Sequence, residues 1–116
     1  MKIEFKPWGW YKDLYEGPGY KLKIISIKEG HQLSLQSHKH RSEVWNTVSG
    51  KGEFFISGIW SIARIGNCIK VPINTIHRAK GGSGGLIFVG IQFGEKLSED
   101  DIQGLEDDYG RVVSSK

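Results

Sequence analysis

The sequence lacks a second cysteine, a long apolar run, a concentrated block of charge and an apolar leader. Each absence closes off a class of protein. Cys68 is alone, so no intramolecular disulfide can brace the chain, and a reduced, cytoplasmic setting is expected. The longest uninterrupted apolar stretch is Leu86-Ile87-Phe88-Val89, far short of the roughly 20 residues that span a bilayer as a helix. No membrane is therefore expected as a partner. The opening Met1-Lys2-Ile3-Glu4-Phe5-Lys6 has neither an apolar core nor a small-residue cleavage site, so no secretory leader is predicted. The net charge is +3, with Lys and Arg dispersed, and no basic run forms the stripe that a nucleic acid requires. A modest positive field suits a small phosphorylated substrate, although ordinary solvated lysines explain it equally well.

What is present is glycine. Sixteen of 116 residues are Gly, with 38% hydrophobic and 25% charged residues. This is the composition of one turn-rich all-β domain over residues 1–116. Strands are predicted at 20–28, 31–38, 43–49, 53–56, 59–65, 68–71, 75–79 and 86–93, with no internal repeat. Turns are predicted at Glu16-Gly17-Pro18-Gly19, Glu29-Gly30, Gly50-Lys51-Gly52, Ser57-Gly58, Gly66-Asn67 and Pro72-Ile73-Asn74, and a hairpin loop at 81–85. Ser98 can cap a short C-terminal helix with Asp101 reaching back, and Ile102 and Leu105 as its apolar contacts. Short strands spaced by glycine turns point to a sandwich or barrel.

Two patterns about thirty residues apart carry the chemistry. The first is Gly30-x5-Gln36-x-His38-x4-Glu43-x6-Gly50 and the second is Gly66-x5-Pro72-x-Asn74-x2-His77. They offer an amide oxygen, a carboxylate and two imidazoles, a full ligand set for one divalent ion. Side chains at i and i+2 of a strand share a face, so Gln36, His38 and His40 are expected to point one way, and Ser37, Lys39 and Arg41 the other. Polar groups converging inside an apolar barrel must be satisfied, since an unpaired one costs about 1–3 kcal/mol, and a metal satisfies several together. Gln36, His38, Glu43 and His77 are the preferred set. A second register, with His40 in place of Gln36, stays open. Zinc comes first, and manganese, cobalt, nickel and iron also suit these donors. A lone histidine is more often a satisfied core or surface residue, and His31 is read so.

The two patterns resemble the two signature motifs of the cupin superfamily, with Gln36 where the first His of the usual His-x-His stands and Asn74 where a glycine is usual. Asn tolerates positive φ nearly as well. The resemblance sharpens in Pro7-Trp8-Gly9, in the run from Glu16 to Lys23, in the run from Leu33 to Glu43, in Ile76-His77-Arg78-Ala79, and in the tail from Gln92 to Arg111. Together these are similar to the type II mannose-6-phosphate isomerase domain, which is commonly fused behind a mannose-1-phosphate guanylyltransferase. The resemblance implies a double-stranded β-helix, a jelly-roll-like barrel, here the isomerase module standing alone. It also implies a metal-dependent interconversion of mannose 6-phosphate and fructose 6-phosphate.

For that reaction His40 is the residue to test as proton-shuttling base. Arg78, Arg41 and Lys23, with Lys21, are candidates for the phosphate, although strict alternation sets Arg78 opposite His77. Trp8, Trp10 and Trp45 can stack on a sugar, but core packing or a dimer interface is the commoner use of such residues. Where the family usually reads Glu-His-Trp, this chain has Glu43-Val44-Trp45. If Val44 faces away from Glu43, the ion survives that exchange; if the missing His served the chemistry, turnover suffers. Two other functions compete: a non-catalytic cupin that binds a sugar phosphate or nucleotide sugar and assists a partner enzyme, and another cupin metalloenzyme such as an oxygenase. A homodimer is expected, since a small barrel has open strand edges to cover.

Overall fold

The computed structural model describes residues 2–94 and, as backbone, 103–106. In chain order the strands are β1 (Ile3–Lys6), β2 (Gly9–Gly17), β3 (Tyr20–Ile27), β4 (Leu35–Ser37), β5 (Ser42–Ile56), β6 (Ile59–Arg64), β7 (Cys68–Val71), β8 (His77–Phe93) and β9 (Gln103–Glu106). No helix occurs among the described residues, and so none there is long and apolar enough to cross a membrane.

The long strands β5 and β8 organise everything else. Ser42 to Gly50 of β5 pairs antiparallel with Leu86 to Phe93 of β8, and Gly52 to Ile56 pairs with His77 to Gly81. The first of these halves is flanked by β3, β2 and β1 on one side and β7 on the other. The second is flanked by β6, and by β4 with β9. Two layers result, and both long strands belong to both. Ring contacts show the fold-over directly: Trp45 and Phe54 have centroids 5.1 Å apart, although nine steps of straight strand would separate them by about 30 Å. The strand must turn a corner between them.

Glycine makes that corner. Gly50 has φ 75 and Gly85 φ 88, and a Cβ on Gly50 would lie 2.2 Å from the Gly85 carbonyl oxygen. The register also slips between Gly50 and Gly52, a bulge of the kind that bends a strand from one layer to another. Here the structure departs from the sequence expectation. Gly50-Lys51-Gly52 is not a hairpin turn and 81–85 is not a loop; both lie within continuous strands. The two glycine clusters oppose each other, and backbone approach at that closeness lets both strands continue instead of reversing. The Gly84 amide donates to Glu29 Oε1 at 2.7 Å, pinning the excursion from outside.

Two further expectations change. The strand expected over 31–38 shortens to Leu35–Ser37, preceded by an isolated bridge between Gln32 and Lys80. The expected C-terminal helix falls mostly on residues outside those described, but its end does not. Leu105 lies in β9, antiparallel to β4. A sheet edge presents unpaired amides and carbonyls that recruit extended chain, and that demand outweighs the local capping signal.

Register partners across β3, β8 and β5 form rows on the inner face. Ile27 meets Leu86, and Ile25 meets Phe88, which meets Thr47; Lys23 meets Gly90, which meets Trp45; Lys21 meets Gln92, which meets Glu43. Trp45, Phe54 and Phe88 stack at the apolar end, with Phe54 and Phe88 centroids 5.3 Å apart. The interior therefore runs from an apolar base to a polar end lined by Lys21, Gln92 and Glu43.

Candidate metal centre

At the polar end, one cavity is walled by side chains from both layers, including Tyr11, Lys23, Gln36, His38, Arg41, Glu43, His77 and Gln92. Glu43 comes from the start of β5 and His77 from the start of β8. His38 comes from the loop after β4. The two sequence patterns are tied together by backbone: the Asn74 amide donates to the His38 carbonyl at 2.7 Å. Asn74 adopts φ 56, the left-handed conformation that this position demands. That turn delivers His77 opposite Gln36, its register partner.

His38, Glu43 and His77 are all buried, and each offers one ligand atom such that all three lie within 4.8 Å of one another. Bonds of about 2.0–2.2 Å to a zinc-class ion allow two donors on one ion to be at most roughly 4.4 Å apart, so small rotations suffice for the set to close on a cation. At His77 the hydrogen bonding favours this further. The Thr75 carbonyl can only accept, so His77 Nδ1 donates to it at 2.8 Å, leaving the Nε2 lone pair for an ion. Arg41 Nη2 can only donate, so its 3.1 Å contact makes His38 Nε2 the acceptor and puts the proton on Nδ1. His77 thus holds the tautomer in which Nε2 can ligate, with an outer partner of the type that fixes metal-binding histidines, whereas the His38 Nε2 lone pair is taken by Arg41, which an ion would have to displace.

Glu43 is held at both oxygens. Trp45 Nε1 donates to Oε1 at 2.9 Å and Arg41 Nε to Oε2 at 3.1 Å. Burial pushes the Glu43 carboxyl upward, but the Arg41 guanidinium, the two imidazoles and the Trp45 N–H outweigh it and keep it below the ordinary carboxylate value. Burial lowers the His77 imidazole, and this prevails over the carboxylate of Glu43, which pulls it up. Both shifts favour the forms a metal needs, an ionised carboxylate and a neutral imidazole. Arg41 stands against His38 and Glu43, where a cation is called for by the donor set.

Trp45→Phe keeps the packing and removes one donor to Glu43. It is expected to cost about 1.5–3 kcal/mol, as for a hydrogen bond to a charged group, and roughly 10–100-fold in metal affinity. Urea denaturation and a competitive chelator titration measure the two effects; unchanged affinity would mean that the indole does not orient the carboxylate.

The other sequence candidates divide between the cavity wall and positions outside it. Gln36 lines the cavity, with its amide nitrogen donating to Ser34 Oγ. His40 is exposed and is not in the cavity wall. Lys23 is 5% exposed and in the wall, its Nζ 3.9 Å from Asp13 Oδ1 and 4.4 Å from the centre of the Tyr11 ring. Arg78 is buried but turned away, its Nε donating to the Leu33 carbonyl at 2.9 Å. Val44 is half-buried, out of step with Glu43 and Trp45, and absent from the cavity wall. Trp8 and Trp45 are both core and wall, whereas Trp10 is only half-buried. Sequence reading missed Tyr11 and Gln92. The signal for Gln92 was there: it shares parity with Leu86 and Phe88, so an inward polar side chain interrupts an otherwise apolar face.

Comparison with known proteins gives a consistent picture. The family model described as Mannose-6-phosphate isomerase C-terminal matches residues 2–107. The chain is 38% identical over 110 residues to alginate biosynthesis protein AlgA of Pseudomonas aeruginosa, covering 94% of this chain and 23% of that protein. It is 35% identical over 109 residues to mannose-1-phosphate guanylyltransferase ManC of Salmonella typhimurium, covering 93% and 23%. The chain thus spans less than a quarter of the length of these relatives. Among solved structures, KdgF from Halomonas sp. superposes with a TM-score of 0.77 at 14% identity, covering 84% of this chain and 89% of that one. The cupin domain of Schizosaccharomyces pombe Cnp3 gives 0.69 at 14% identity, covering 73% and 64%. Likeness at such identity shows the fold alone, the double-stranded β-helix of cupins.

Proposed function

Because the chain belongs to the mannose-6-phosphate isomerase C-terminal family, we propose that it is a metal-dependent aldose–ketose isomerase interconverting mannose 6-phosphate and fructose 6-phosphate. The observation that carries this reading is the buried cluster of His38, Glu43 and His77 at the polar end of the cavity. With Gln36 as a fourth donor, these residues would hold the ion, zinc first, with manganese, cobalt, nickel and iron as the other candidates. Such an ion, when bound, supplies Lewis-acid polarisation of a sugar carbonyl. The protein's own part is to keep His77 neutral and Glu43 ionised, to hold both by Thr75 and Trp45, and to line the approach with Lys23, a cation suited to the phosphate. Arg78 lies outside the cavity wall, and Arg41, in the wall, is bonded to the candidate ligands Glu43 and His38; Lys23, in the wall and paired with Asp13 at 3.9 Å rather than with a candidate ligand, is the best-supported of the three phosphate candidates. Proton transfer between adjacent carbons needs a base near the sugar. Lys23 and Tyr11 are in the cavity wall, whereas His40 would have to act from the exposed loop.

That exposed position of His40 favours a second reading, a non-catalytic cupin that binds a sugar phosphate or nucleotide sugar and assists a partner enzyme. One purified sample decides between them. Elemental analysis is expected to give one ion per chain, and a coupled assay to give mannose 6-phosphate turnover that a chelator removes. Binding by calorimetry without turnover would instead establish the second reading, and neither binding nor turnover would refute both. The relatives' names, alginate biosynthesis among them, support a place in polysaccharide precursor supply. The lone exposed Cys68 fits a reducing cytoplasm. A homodimer through β6 is supported by its single pairing, with β5, among the described strands, and by exposed Ile59 and Ile62; light scattering measures it.

A further inference from the structure

Gln92 occupies an inward position of β8, between Lys21 of β3 and Glu43 of β5. It is 2% exposed, lines the same cavity as His38, Glu43 and His77, and its Oε1 has no hydrogen-bond partner. A buried acceptor without a donor costs about 1–3 kcal/mol. Packing does not require it: the inward positions that precede it on β8 are Leu86, Phe88 and Gly90, and a leucine or methionine would continue that pattern with comparable volume. Thr47 Oγ1 is also without a partner, but it lies among apolar side chains and outside the cavity wall. Arg41 Nη1 is a buried donor in the same state, but among the buried acceptors without a partner Gln92 Oε1 is the one on a residue of the cavity wall, one strand away from a carboxylate in the candidate metal cluster. Destabilising polar groups kept at cavity walls are a mark of sites built for a ligand.

We infer that Gln92 is a specificity-determining residue whose Oε1 accepts a hydrogen bond from a hydroxyl of the bound sugar phosphate. The inference rests on the isomerase reading and deepens it. The residue selects a polyol, because a ligand without a donor there leaves the amide as unsatisfied as in the free protein. Sites arranged to hydrogen-bond a hydroxyl discriminate far more strongly than apolar pockets do.

The test uses the full chain loaded with zinc, as wild type, Gln92→Leu and Gln92→Met. Zinc content and melting temperature are measured first, then binding of mannose 6-phosphate and of inorganic phosphate by calorimetry. In both variants the zinc content is expected to be unchanged and the melting temperature equal or higher. Mannose 6-phosphate affinity is expected to fall roughly tenfold or more, with the response to inorganic phosphate unaltered. Unaltered mannose 6-phosphate affinity overturns the inference, as does a lowered melting temperature in both variants, which would make Gln92 structural. Lost zinc in both variants overturns it too, by making Gln92 part of the ion's own support. If the zinc-loaded wild type binds no mannose 6-phosphate, the isomerase reading fails and takes the inference with it; wild-type binding that the variants share sinks the inference alone.

Discussion

Glu43→Leu is expected to abolish metal uptake and to destabilise the fold together. The carboxylate is the only anionic member of the His38, Glu43 and His77 cluster, so its removal should cost more metal affinity than the roughly 10–100-fold typical of outer-shell changes. The second effect comes from what remains. Arg41 is 6% exposed and bonded to Glu43 at 3.1 Å, and stripping a buried ion pair of one partner costs about 3–5 kcal/mol. The acid limb of stability should change as well. A carboxyl held below its ordinary pKa stabilises the fold above that ordinary value, and the benefit is lost as pH falls through the folded value. His77, also lowered, acts in the same sense: from about pH 6.5 downward, the unfolded chain takes up a proton that the folded one resists. Wild type should therefore lose stability in two stages on acidification, and Glu43→Leu should lack the lower one. Urea titrations across pH, with elemental analysis at neutral pH, measure all three effects. A variant that still carries one equivalent of ion would remove Glu43 from the ligand set.

Arg41→Met should respond to metal in the opposite way. Its guanidinium contacts Glu43 Oε2 and His38 Nε2, both at 3.1 Å, the same atoms that an ion would use. In the metal-free variant Glu43 is left buried without its nearest cation, at a cost again of about 3–5 kcal/mol. An added divalent ion can then take up the charge without displacing anything. The melting temperature of Arg41→Met should therefore start below that of wild type and rise further on zinc addition, since ligand stabilisation grows with affinity. A smaller zinc-induced rise than in wild type would show that Arg41 supports the ion and does not compete with it. Glu43→Leu and Arg41→Met together separate a metal site from a structural ion pair: only a metal site makes one variant indifferent to zinc and the other more responsive than wild type.

The sequence was a good guide where local chemistry decides. The Ile-rich, partly alternating stretch 20–28 and the nearly continuous apolar run 86–93 were legible as strands. The turn at Asn74 was legible because few residues tolerate positive φ, and His38, Glu43 and His77 were legible because their spacing matches a pattern of turns and ligand types. Composition, periodicity and the two motifs by themselves determined an all-β domain, an inward polar set and a family.

Other features had no local signal. Gly50-Lys51-Gly52 and 81–85 read as turns until each is opposed to the other, since a glycine cluster specifies permissiveness and not direction. Leu105 read as helix until β4 offered an edge. Arg41 and Arg78 carry the same charge, yet one faces Glu43 and the other the Leu33 carbonyl, because long flexible side chains go where burial and partners from distant segments lead them. Tertiary structure alone decided those placements, and alone brought Gln92 beside Glu43. The physical reason is that pairing across strands far apart in sequence sets the environment of each buried charge and amide, and neither spacing nor propensity encodes it.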